Sequence, residues 1–119
     1  MEMADNLIIT KSMDFAVRIV NLYKYLSKSK HEYVLSKQVL RSGTSIGANA
    51  REAVQGQSKA DFIAKMSIAL KEASETEYWL ELLYKTEYLN IIEYEDIMQN
   101  CKEIVRILTS IVKSSKQVN

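Results

Sequence analysis

Proline is absent from this 119-residue chain, where average usage would place roughly six. Glycine is scarce, with three, all between positions 43 and 56. A chain so poor in breakers has little turn chemistry and must be built from long helices. Cysteine occurs once, as Cys101, so no internal disulfide can form, which fits a reducing compartment and predicts a cytoplasmic location. Histidine also occurs once, as His31. One Cys and one His cannot build a zinc site, and a di-iron bundle needs Glu-x-x-His on two helices. A nucleophile triad lacks its base, because His31 falls in a predicted loop. There is no Gly-rich phosphate-binding fingerprint. No apolar run approaches the ~20 residues of a membrane span, and no basic segment followed by an apolar stretch opens the chain. Neither a membrane partner nor a secretory leader is expected, and no cofactor, metal or small-molecule substrate is implied.

What is present is a globular composition. Hydrophobic residues make up 47% of the chain, enough for one domain with a real core. The net charge is +1, but its distribution is uneven. Residues 1–60 hold nine Lys/Arg against five Asp/Glu, and residues 61–119 hold seven against ten. Mixed solvated faces account for most of this. The functional alternative is a basic surface near the first two helices that could meet phosphate.

Hydrophobic spacing predicts an all-α fold, an antiparallel up-down-up-down four-helix bundle in a single domain covering residues 1–119, with helices over about 10–29, 36–55, 58–86 and 93–113. Residues 1–9 read as a short leader, with Leu7-Ile8-Ile9 packing on the bundle edge. In the first helix Phe15, Ile19, Leu22 and Leu26 form an apolar row, and Met13, Val17, Val20 and Tyr23 extend it sideways. That is more than the three apolar positions in seven that a bundle helix needs, so surface beyond its own bundle should be buried. The second helix places Ser36 at its N-cap and Leu35, Val39, Ser42, Ile46, Asn49 and Ala53 on its inner row. Its middle is rich in small residues that admit a close neighbour. Gly43 and Gly47 could break it, but Ile46 and Asn49 stay in phase, so it reads as continuous. The third helix opens at Ser58-Lys59-Ala60-Asp61. Phe62, Met66, Ala69, Ala73, Thr76, Leu80 and Leu83 then alternate steps of four and three, the spacing of helices crossing at a shallow angle. The fourth repeats this with Ile97, Cys101, Ile104, Leu108 and Ile111, ahead of a frayed tail, Ser114–Asn119.

Two polar features remain. Asn49 on an inner row would fix register or oligomer state. Arg51 and Glu52, with Glu72 and Glu75 on the third helix, form with it a structural polar cluster; Arg41, Lys71 and Glu77 border it. Its ordinary reading is exposed pairs, and its sharper one is a buried ionic cluster joining the second helix to the third. Cys101 reads as a buried, inert thiol.

The run Arg41-Ser42-Gly43-Thr44-Ser45-Ile46-Gly47-Ala48-Asn49-Ala50-Arg51-Glu52-Ala53 resembles the core of the bacterial four-helix-bundle proteins named after the intervening sequences of 23S ribosomal RNA. The likeness continues through Asp61-Phe62-Ile63-Ala64-Lys65, Ile68-Ala69-Leu70-Lys71-Glu72-Ala73, Glu75-Thr76 and Tyr78-Trp79-Leu80, and Lys11-Ser12-Met13-Asp14-Phe15-Ala16 is similar. It covers about residues 5 to 113. Ala50 departs from the larger aliphatic residue many members carry, and Val54-Gln55 stands before Gly56 where the more common wording runs directly from Glu to Gly. The resemblance implies an up-down-up-down bundle, commonly a ring-like homopentamer, with no established enzymatic activity. A structurally similar branch serves diversity-generating retroelements as an accessory protein, whose basic pentameric ring binds reverse transcriptase and RNA.

The leading expectation is therefore a non-enzymatic homo-oligomer, a pentamer by resemblance, that binds RNA or a nucleic-acid enzyme through Lys24, Lys28, Lys30, Lys37 and Arg41. The alternative is a protein-interaction adaptor with no nucleic-acid role. An RNA-cleaving helical domain ranks last, because Arg41, Arg51 and Arg106 lack the helical His partner such sites use.

Overall fold

In a computed structural model, which describes residues 3–117, the chain folds into four helices: α1 (Met3–Lys28), α2 (Leu35–Val54), α3 (Lys59–Lys85) and α4 (Ile91–Lys116). The helices pack in chain order and α4 closes back on α1, with no diagonal contact, as an up-down-up-down bundle requires. Its axes measure 49 × 21 × 19 Å. The expected seams are the core. Met66, Ala69, Ala73, Thr76, Leu80 and Leu83 of α3 are buried, as are Ile97, Cys101, Ile104, Leu108 and Ile111 of α4. Phe62, at the open end of the α3 row, is half-buried.

Two helix starts differ from expectation. The segment read as a leader is the first part of α1, whose helix begins at Met3; Met1 and Glu2 lie outside the described residues. No breaker stops the helix there, Asp5 places negative charge in its first turn, and Ile8 continues the row of Phe15 and Ile19 with 0% exposure. Of the Leu7-Ile8-Ile9 trio, Ile8 is buried in the core, Ile9 packs against it partly buried, and Leu7 is exposed. Similarly, α4 starts at Ile91 because Asn90 and Glu93 form a capping box: Glu93 N–H donates to Asn90 Oδ1 at 2.8 Å, and Asn90 N–H donates to Glu93 Oε1 at 2.8 Å. The tail read as frayed stays helical through Lys116; Val118 and Asn119 lie outside the described residues.

The α2 helix is continuous, and its glycines mark where α1 comes closest. A Cβ on Gly43 would sit 2.7 Å from Ile19 Cγ1, and one on Gly47 would sit 3.1 Å from Ser12 Oγ. The inner row runs Val39, Ser42, Ile46, Ala50, Ala53. Asn49 is half-exposed, and its Nδ2 donates to the Ser45 carbonyl of its own helix at 2.9 Å. The step after Ile46 is thus four rather than three, and no Asn occupies the seam. Instead the buried polar contact between α2 and α3 is the hydrogen bond joining the hydroxyls of Ser42 and Thr76, at 2.9 Å.

Ser58 caps α3 as expected, its Oγ accepting from Asp61 N–H at 3.0 Å. Ser36 does not cap α2. The N-cap is Val34, and the capping atoms belong to Glu32, whose carboxylate accepts from the N–H groups of Val34 (3.1 Å), Leu35 (3.0 Å) and Ser36 (2.7 Å). Ser36 lies buried in the first turn and donates its hydroxyl to the Glu32 carbonyl at 2.8 Å. Burial pushes the Glu32 carboxyl up, but the three amide donors outweigh it and hold it below the ordinary range.

Candidate nucleic-acid interface

Four of the five basic residues expected to meet phosphate surround the α1–α2 connection. Lys24 and Lys28 are exposed on the last two turns of α1, Lys30 lies in the connection, and Lys37 is exposed on the first turn of α2. None of the four forms an ion pair among the described residues. The Lys30 ammonium instead lies 5.7 Å from the Tyr25 ring centroid. Arg41, the fifth, is already engaged: it bonds Glu72 at 3.0 Å and also Glu75 on α3.

The connection has a defined backbone. Ser29 and Lys30 N–H groups return to the Tyr25 carbonyl, and Glu32 N–H returns to Leu26 O at 2.9 Å. His31 takes the left-handed conformation, φ 55°, that such a helix end requires. Glu32, the one acid between residues 28 and 37, is turned inward onto α2, so the outward face of the connection is left to lysine. Tyr33 stands beside it 54% exposed, its hydroxyl 3.2 Å from His31 Nδ1. The sequence reading passed over Tyr33, because a single loop aromatic carries no periodic signal.

The polar cluster read from sequence divides into separate contacts. Glu72 and Glu75 converge on Arg41, and Trp79 Nε1 donates to Glu75 Oε2 at 2.9 Å. The Trp79 bond is the largest cause holding the Glu75 carboxyl below its usual range; burial opposes it and Arg41 adds to it. Glu52 pairs with Lys65 at 3.1 Å, and Asn49 bonds its own helix. Arg51 forms no ion pair among the described residues and lines a groove of about 220 Å³ between α1 and α2. The side chains of Arg41 and Glu75 are substantially exposed, so this is a surface bracket between α2 and α3 rather than a buried ionic core.

That groove is also lined by Ile9, Ser12, Met13, Ala16, Thr44, Gly47 and Ala48. On its α1 side Met13 is 48% exposed; Val17, one turn on, is 55% exposed, and Met3 and Leu7 are exposed nearer the N-terminus, with the exposed polar residues Asn6, Thr10 and Asp14 among them. The surplus apolar face expected of α1 is therefore present and uncovered.

Residues 4–110 of the chain match the family described as 23S rRNA-intervening sequence proteins. The chain belongs to that family. The fold agrees: a crystal structure of a protein of unknown function from the S23 ribosomal protein family of Bacteroides thetaiotaomicron superimposes with a TM-score of 0.92 at 62% identity, over 93% of this chain and 99% of that one. No curated protein matches the sequence. Among its described residues the chain has no helix long and apolar enough to cross a membrane. No three His, Cys, Asp or Glu side chains among them are grouped to hold a metal ion.

Proposed function

We propose that this protein is a non-enzymatic, cytoplasmic homo-oligomeric scaffold that binds RNA, alone or together with an enzyme that acts on it. The observation that carries the reading is the uncovered apolar flank of α1 beside the α1–α2 groove. Burying a whole Val or Met side chain contributes about 1.5–3 kcal/mol, and half of that remains to be gained at Met13 and Val17. A flank of this kind on one edge, meeting a different surface of the next copy, generates a ring when the rotation between copies closes, and the family resemblance implies a ring of five. A ring would repeat the unpaired lysines of the α1–α2 connection and so raise a weak local field.

Light scattering at micromolar concentration should return a multiple of the 13.7 kDa chain mass, and Val17→Glu should reduce it toward the monomer while the helical circular dichroism is kept. A wild-type monomer refutes the scaffold. RNA affinity should fall steeply with salt as counterions are displaced. A flat salt dependence, or capture of a protein partner that survives nuclease with no RNA binding, would instead favour the adaptor.

A further inference from the structure

We infer that the α1–α2 connection binds single-stranded nucleic acid, with Tyr33 as a stacking platform for one unpaired base and Lys28, Lys30 and Lys37 as phosphate contacts. This rests on the nucleic-acid reading above and narrows its ligand class. Three observations carry it. The Tyr33 ring is 54% exposed although the backbone on both sides of it is committed to hydrogen bonds. Its hydroxyl is held by His31 Nδ1 at 3.2 Å. The lysines around it have no carboxylate partner among the described residues, and the one nearby acid, Glu32, spends its oxygens on α2.

An exposed aromatic on a fixed loop receives a base at little ordering cost, and every base offers a face to stack. A duplex keeps its faces inside the helix and offers only phosphates. Tyr25, by contrast, already has a cation, the Lys30 ammonium, over its ring. The platform is therefore Tyr33, and single strands should be preferred over duplex.

The test uses the full-length protein and fluorescence anisotropy with labelled oligouridylate, oligothymidylate and an RNA duplex of equal length. Single strands are expected to bind about tenfold tighter than duplex, and Tyr33→Leu to weaken them about tenfold without altering the salt slope. Tyr33→Phe keeps the stacking ring but loses the His31 contact, so it should weaken binding by no more than about threefold, well short of Tyr33→Leu. Lys28→Ala and Lys37→Ala should each lower the salt slope by about 0.7. Equal binding of duplex and single strand, or an unchanged Tyr33→Leu, overturns the stacking inference and leaves the RNA-binding scaffold standing. No binding to any probe overturns both.

Discussion

Replacing Gly43 by alanine sets two opposed effects on one methyl group. In an isolated helix the change would stabilise by about 1 kcal/mol, because glycine pays the larger backbone entropy. In this bundle the new Cβ would lie 2.7 Å from Ile19 Cγ1 and 2.8 Å from Ile19 Cγ2, where ordinary contact begins near 3.4 Å. Ile19 is fully buried and β-branched, so it cannot swing its far end aside. Either its rotamer changes or α1 and α2 separate, and overpacking of this kind costs about 1–3 kcal/mol. Because both Cγ atoms of a fully buried side chain are struck, the cost falls in the upper part of that range; the clash wins, and Gly43→Ala should lose a net of up to ~2 kcal/mol. Urea unfolding followed by circular dichroism, at one fixed protein concentration so that assembly does not intrude, reads this directly. The cause is isolated by a double-mutant cycle. Ile19→Ala alone should cost about 2–5 kcal/mol by leaving a cavity. Combined with Gly43→Ala it should cost at least ~1 kcal/mol less than the sum, because the added methyl enters the space Ile19 vacates. A more stable Gly43→Ala, or strict additivity, would refute close approach of the two helices at this point.

Glu32→Gln should destabilise the protein by about 1 kcal/mol at neutral pH through loss of the charged cap on α2. A carboxyl whose folded pKa is depressed contributes stability above its unfolded value and loses it as pH falls through the folded one, so the gap between wild type and variant should close below about pH 4.5. A gap that widens on acidification contradicts that assignment. For Cys101, burial pushes the thiol up to about 12, and its Sγ donates to the Ala73 carbonyl at 3.4 Å. A disulfide reagent at pH near 8 should label it only as fast as the bundle opens, and immediate labelling of the native protein would place it elsewhere.

The α3 and α4 rows were legible because each helix buries five or six residues at regular steps, so one aberrant position does not disturb the phase. The first turns of α1 were not, because between Met3 and Ile9 only Ile8 is fully buried, and one buried residue has no period. Asn49 was misplaced by a single step. Alanine gives no signal of its own, so Asn49 and Ala50 compete for the same inner position and only the packing against α1 and α3 decides. The α2 cap was hidden for a different reason. Glu32 reaches forward from the preceding connection, whereas the eye is drawn to the serine that follows it. At the candidate site the lysines were visible as charge, but which cations remain unpaired depends on side chains far apart in sequence: Arg41 alone meets Glu72 and Glu75 across the α2–α3 boundary.

The uneven charge of the chain takes a physical form in that pairing. On α3 and α4, Lys65, Lys85 and Lys102 each face a carboxylate. On α1, Lys11 and Arg18 spend their charge closing the seam with α4 through Glu103 and Asp96. Of the cations without an ion pair among the described residues, Lys24, Lys28, Lys30 and Lys37 surround the α1–α2 connection, and Arg51, Lys71, Arg106, Lys113 and Lys116 are spread over α2, α3 and α4. The exposed apolar side chains of α1, in contrast, are Met3, Leu7, Met13 and Val17. Val17, the nearest of them, and Lys28 are 11 residues apart on one helix, a distance of roughly 16 Å at 1.5 Å per residue. In the proposed assembly, contact made through the flank would lie away from the basic connection of the same copy. One end of α1 would then join copies, while its last turns and the connection would offer lysines and Tyr33 to a strand long enough to reach more than one copy.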